Sequence, residues 1–216
     1  MAIKIDYSSY PDRERRKAFT DKLIPESPYK SAGVPIPEIR KIAKTLTTQD
    51  LEVNYIEDII LKGLFIVTSK QTAFEEKIPL LEEFYPYIVS WMVTDVLASS
   101  IYLKKEEKDE AFHYFFSLID REESMVRRFG IITLLSNFFD EEHWKLVIDK
   151  ISPIESDHYL LNMAIAWCVS VAYAKYKRES DYCFALLSEP VKKLAKQKCR
   201  DSKRVSKEDK ERLKEL

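Results

Sequence analysis

Trp91 and Asp95 lie four residues apart in Ser90-Trp-Met-Val-Thr-Asp-Val-Leu-Ala-Ser-Ser-Ile-Tyr102. Wound at 100° per residue, Val93, Val96, Leu97 and Ile101 gather on one side of a helix, and Trp91, Asp95, Ala98 and Tyr102 on the other. A carboxylate one turn from an indole, away from the apolar stripe, is a pair suited to stabilising positive charge. The alternative is structural: Trp91 packs on a neighbouring element while Asp95 caps or pairs with a cation. Arg127 and Arg128 interrupt the apolar run of Met125-Val-Arg-Arg-Phe-Gly130. A guanidinium fork fits a phosphate, but an ion pair with Asp120, Glu122 or Glu123 would serve equally well. Trp167, in Met163-Ala-Ile-Ala-Trp-Cys168, sits in a segment apolar nearly all round, so periodicity does not say whether it faces the core or a shared surface.

Metal and thiol chemistry find no support in the spacing. His113, His143 and His158 do not approach a ligand pattern, and Cys168, Cys183 and Cys199 form no Cys-x-x-Cys pair. No metal and no cofactor is expected. The cysteines read as reduced thiols in a cytoplasmic protein, since the chain carries no secretory signal and no long apolar span that would enter a membrane.

The elements that must position these groups are helices. Three glycines in 216 residues leave little room for phosphate-cradling loops or for the tight turns of an all-β chain. Apolar runs of helical period lie between turn signals, giving an all-α fold in a single domain over 1–216. Pro37 and Pro190 mark first turns, and Ser206-Lys-Glu-Asp209 is a capping box. Breaks fall from Pro25 to Pro37, at Pro86 and at Ser152-Pro153. The helices pair, a polar one followed by a more apolar one, and the second helices begin near Ser90, Glu123, Asp157 and Glu189, at intervals of 33, 34 and 32 residues. Such a period predicts stacked helical hairpins, an α-solenoid. Acidic stretches such as 104–110 and 140–142 belong to the first helices and are expected to face solvent. From Val191 to Leu216 there are eleven Lys/Arg against five Asp/Glu, so a chain of net charge −1 ends in a segment of +6. That segment either meets a polyanion or serves as a solvated face.

Together these residues resemble the AlkD-like DNA alkylation repair family of HEAT-like repeat proteins, from about Val34 to Leu216. The resemblance is carried by Val34-Pro-Ile-Pro-Glu-Ile-Arg-Lys41, Trp91-x-x-x-Asp95, Val126-Arg-Arg128 and Ala164-Ile-Ala-Trp167. The tail Cys199-Arg-Asp-Ser-Lys-Arg-Val-Ser-Lys-Glu-Asp-Lys210 is similar to that of many short bacterial members. It implies a right-handed solenoid of HEAT-like helical hairpin repeats whose concave basic face holds duplex DNA, and a metal-independent DNA glycosylase that excises N3- and N7-alkylated purines. On matching positions, it implies Asp95 as the catalytic carboxylate, Trp91 and Trp167 as aromatic walls and Arg128 as a backbone contact. Arg127 and the tail cations Lys196, Lys198, Arg200, Lys203 and Arg204 are expected to add DNA contacts.

An alkylated purine is already cationic and leaves without an added proton, so the remaining task is to stabilise charge on the deoxyribose and position a water. The resemblance further implies work on a stacked lesion rather than on a base flipped into a pocket. Longer members begin with a further helix ahead of Pro11, so the start is expected to be short by one helix. Some relatives bind DNA, branched DNA included, without excision. A non-catalytic DNA-shape binder therefore stands beside the glycosylase, and a protein scaffold stands behind both. A monomer is expected.

Overall fold

A computed structural model describes residues 2–216, all-helical apart from a single parallel β-bridge between Ile3 and Leu51. The chain separates into two compact units, with the boundary between Ala111 and Phe112.

In the first unit, α1 (Arg13–Leu23), α2 (Ile36–Ala43), α3 (Ile56–Thr68), α4 (Phe74–Phe84) and α5 (Trp91–Ala98) follow one another. Pro37 falls in the first turn of α2, where its missing N–H costs no hydrogen bond. The central helix is α3, buried along nearly its whole length and packed against α2, α4 and α5. Gly63 sets the depth of that packing. A Cβ there would stand 2.8 Å from Leu97 Cδ2 and 2.9 Å from Phe84 Cζ, so only a glycine lets α5 seat this closely on α3. The loop ahead of α2 hangs on one buried carboxylate: Glu57 on α3 accepts from Ser31 Oγ at 2.7 Å and from the N–H groups of Ala32, Gly33 and Val34 at 2.7, 3.1 and 3.3 Å. Buried backbone donors need such a partner.

By contrast, α1 buries no residue fully. It is held by polar contacts, among them Ser31 N donating to Asp21 Oδ1 at 2.7 Å. Its carbonyl at Arg13 also lies against Gly33, whose φ of +82° suits a glycine.

The helix α6 (Lys108–Ser117) carries the boundary, and the second unit continues with α7 (Ser124–Asn137), α8 (Trp144–Ile151), α9 (Tyr159–Tyr176), α10 (Cys183–Leu186), α11 (Glu189–Asp201) and α12 (Lys207–Arg212). Here α9 is central, packing against α7, α8 and α11. Trp144 is buried and stacks on Tyr176 with centroids 4.1 Å apart. Ser206 caps α12, accepting from Asp209 N at 3.0 Å, as the capping-box pattern predicts. The expected second helices correspond to α5, α7, α9 and α11, each starting within two residues of its predicted position.

Two expectations fail locally. The helix drawn through Tyr102 ends at Ala98 because Ser99 Oγ and Ser100 Oγ turn back to the carbonyls of Asp95 and Val96, at 2.8 and 2.6 Å. Ala98, assigned to the outward side, is fully buried. The acidic stretch at 104–110 is not wholly solvated either. Glu107 is buried and accepts from Lys104 N at 2.7 Å and Phe74 N at 3.1 Å, closing the start of α4. These main-chain donors hold its carboxyl below the ordinary range.

Candidate functional site

Ser90 begins α5 with its hydroxyl accepting from Met92 N and donating to Glu26 Oε1 at 3.1 Å. Val93, Val96 and Leu97 turn into the unit and are buried, which leaves Trp91 and Asp95 half-buried on the other side, one turn apart. Neither group is loose. Trp91 Nε1 donates to the Leu23 carbonyl at 2.9 Å, so the indole is also the bracket that fixes the C-terminal end of α1. Asp95 Oδ1 accepts from Thr94 Oγ1 at 2.9 Å, and that hydroxyl lies at the same distance from the Trp91 carbonyl. Thr94 is fully buried, so the pair rests on a fixed support and keeps an exposed edge.

In the second unit, Arg127 and Arg128 each donate to a main-chain oxygen. Arg127 Nε donates to the Ile119 carbonyl at 2.9 Å. Arg128 is only 4% exposed, and its Nη1 donates to the Leu160 carbonyl at 2.6 Å, tying α7 to the first turn of α9. A main-chain oxygen thus takes a donor from each guanidinium. Nearby, Arg121 pairs with Glu123 and Lys150 with Asp120. With so little surface, Arg128 offers an edge rather than an open fork.

Trp167 is the indole that faces out. It is 37% exposed on a helix whose neighbouring residues are mostly buried, and Lys198 Nζ lies 5.7 Å from its ring centroid. This cation–π pair links α9 to α11 and is of the kind worth about 0.5–1 kcal/mol at an exposed site. The two side chains open onto a cleft of about 780 Å³, where Lys175, Lys203, Arg204 and Asp201 join them. Four cations against one carboxylate give this cleft a field that favours anions.

Of the residues singled out from the sequence, Trp167, Lys198, Lys203 and Arg204 come together here. Arg200 does not line the cleft; it is exposed and donates to Gln197 Oε1 at 3.0 Å on its own helix. Lys175 was missed, although its position eight residues after Trp167 places both on one side of α9. Its Nζ donates to the Phe139 carbonyl at 3.0 Å.

Among the described residues, no group of three or more His, Cys, Asp or Glu could hold a metal ion, and no helix is long and apolar enough to cross a membrane. All three cysteines are buried.

A family model described as DNA alkylation repair enzyme matches residues 8–172. No curated protein and no solved structure matches the chain. The matched stretch holds Trp91, Asp95, Arg127, Arg128 and Trp167, while the cations at 175 and 198–204 lie beyond it.

Proposed function

Because the chain belongs to the DNA alkylation repair enzyme family, we propose that it binds duplex DNA and hydrolyses the N-glycosidic bond of cationic N3- or N7-alkylated purines. In this reading the helices form a right-handed solenoid of HEAT-like hairpins with a basic concave face. Asp95 is the catalytic carboxylate: it stabilises positive charge developing on the deoxyribose and orients the water that attacks it. Trp91 stands beside it as an aromatic wall. Trp167 presents a second π-face to the cationic nucleotide, and Lys198, Lys203 and Arg204 grip phosphates, with Arg127, Arg128 and Arg200 contributing at their exposed edges.

The observation that carries the reading is the half-exposed Asp95 one turn from Trp91, held by a buried threonine, on a helix whose apolar side is fully engaged. No added proton and no bound group is needed, since alkylation has already made the base a leaving group. The test is direct. Duplex DNA containing N7-methylguanine is incubated with the protein, and free base is measured against the spontaneous background. Release above background supports excision, and background release alone rejects it for this lesion.

A second reading has one observation in its favour. The basic cleft at Trp167 belongs wholly to the second unit, whereas Asp95 belongs to the first. DNA binding could therefore persist without excision, as in a protein that recognises DNA shape or branched DNA. Tight, salt-sensitive binding to branched DNA with no base release is the outcome that selects it.

A further inference from the structure

A residue out of its ordinary conformation marks the end of α9. Lys177 has φ 50° and ψ −123°, a region that a Cβ disfavours and that glycine occupies freely. Such strain persists when the side chain is worth keeping. The Lys177 N–H still closes the helix on the Tyr173 carbonyl, so the backbone task alone does not call for a lysine. Beside it lies a second cleft of about 660 Å³, lined by Lys177, Arg178, Arg204, Glu208 and Arg212 among others. Arg204 lines both this cleft and the one at Trp167, so the two adjoin within the second unit.

The charges sort themselves by partner. Arg212 is spent internally, paired with Asp181 at 3.2 Å and Asp209 at 3.4 Å. Lys177, Arg178 and Arg204 are exposed and make no ion pair among the described residues. Glu179 and Glu208 also border the cleft, so bulk charge does not draw anions in; any anion must be held by the individual cations. Exposed, unpaired cations strung through adjoining clefts suit a ligand whose charges repeat, rather than a single small anion, which needs buried donors.

Resting on the DNA-binding reading, we infer that the second cleft continues the phosphate track: a DNA backbone lying in the Trp167 cleft runs past Arg204 and is held again by Lys177 and Arg178. The strained lysine is the price of that grip.

The test is binding of an undamaged duplex oligonucleotide as a function of salt, with thermal unfolding of each variant alongside. Each lost phosphate contact lowers the slope of log K against log salt by about 0.9. Lys177→Gly is expected to keep or raise the Tm while flattening the slope by that amount, and Arg178→Ala to flatten it likewise at unchanged Tm. Slopes unchanged in both, with Arg204→Ala still flattening, overturn the second cleft and leave the DNA reading standing. A Tm lowered by Lys177→Gly overturns the argument from strain. Wild-type protein with no salt-sensitive binding sinks the DNA reading itself.

Discussion

The two indoles Trp91 and Trp167 have different duties. Trp91 is a bracket as well as a wall, because its Nε1 holds the Leu23 carbonyl. Trp91→Phe keeps an aromatic face but drops that bond, and is expected to loosen α1, read as faster hydrogen exchange across 13–23. Trp167 carries only the cation–π contact with Lys198. Trp167→Ala is expected to lower the Tm by about 2–4 °C, the cost of the lost contact with Lys198, while weakening binding to alkylated duplex about fivefold, the equivalent of one exposed cation–π contact. A large fall in Tm would make Trp167 a core residue. The thiols are expected to be silent: burial pushes Cys183 and Cys199 each up to about 12 and drives Cys168 upward as well. A disulfide reagent at pH 8 should find no thiol in the native protein and three after denaturation.

At the scale of elements, most of what positions the site was legible, because helix starts depend on local chemistry. Pro37, Pro190 and Ser206 each open a helix as read, since a first-turn proline and a capping hydroxyl act on neighbours a few residues away. The end of α5 was not legible. It rests on two serine hydroxyls choosing carbonyls behind them, and nothing in Ala98-Ser-Ser100 distinguishes that from a continuing helix. Glu107 was misread because one of its donors, Phe74 N, lies 33 residues away and meets it only once α4 is in place, whereas its bond from Lys104 N is local.

Two element-scale predictions follow from these contacts. Gly63→Ala must displace Leu97 or Phe84, both buried, and is expected to cost about 1–3 kcal/mol and to shift α5, measured by chemical denaturation. Glu107 has a depressed carboxyl pKa, so the unfolded chain binds its proton more readily. Its contribution to stability is complete above the ordinary glutamate range and is lost as pH falls through the depressed value. Glu107→Gln should therefore flatten the acid limb of the stability–pH curve; an unchanged limb would show that Glu107 carries no such load.

At the scale of the whole molecule, the helical class and the family were readable from period and motif, since both survive in residue order. The clustering of Trp167 with Lys198, Lys203 and Arg204 was readable only in part: it needs α9 and α11 packed side by side, which no spacing within either helix encodes. The same holds for Arg128, whose burial against Leu160 is a contact between helices.

The basic cleft at Trp167 and the Asp95 carboxylate belong to different units, so binding and excision are separable by mutation. The most direct measurement is single-turnover release of N7-methylguanine from duplex DNA by the wild-type protein and by Asp95→Asn, with duplex affinity recorded for both. The expected result is release above background by the wild type, a rate lower by about 10²–10³ in the variant, and affinity nearly unchanged. Equal release rates in the two proteins, or no release from either, would contradict it.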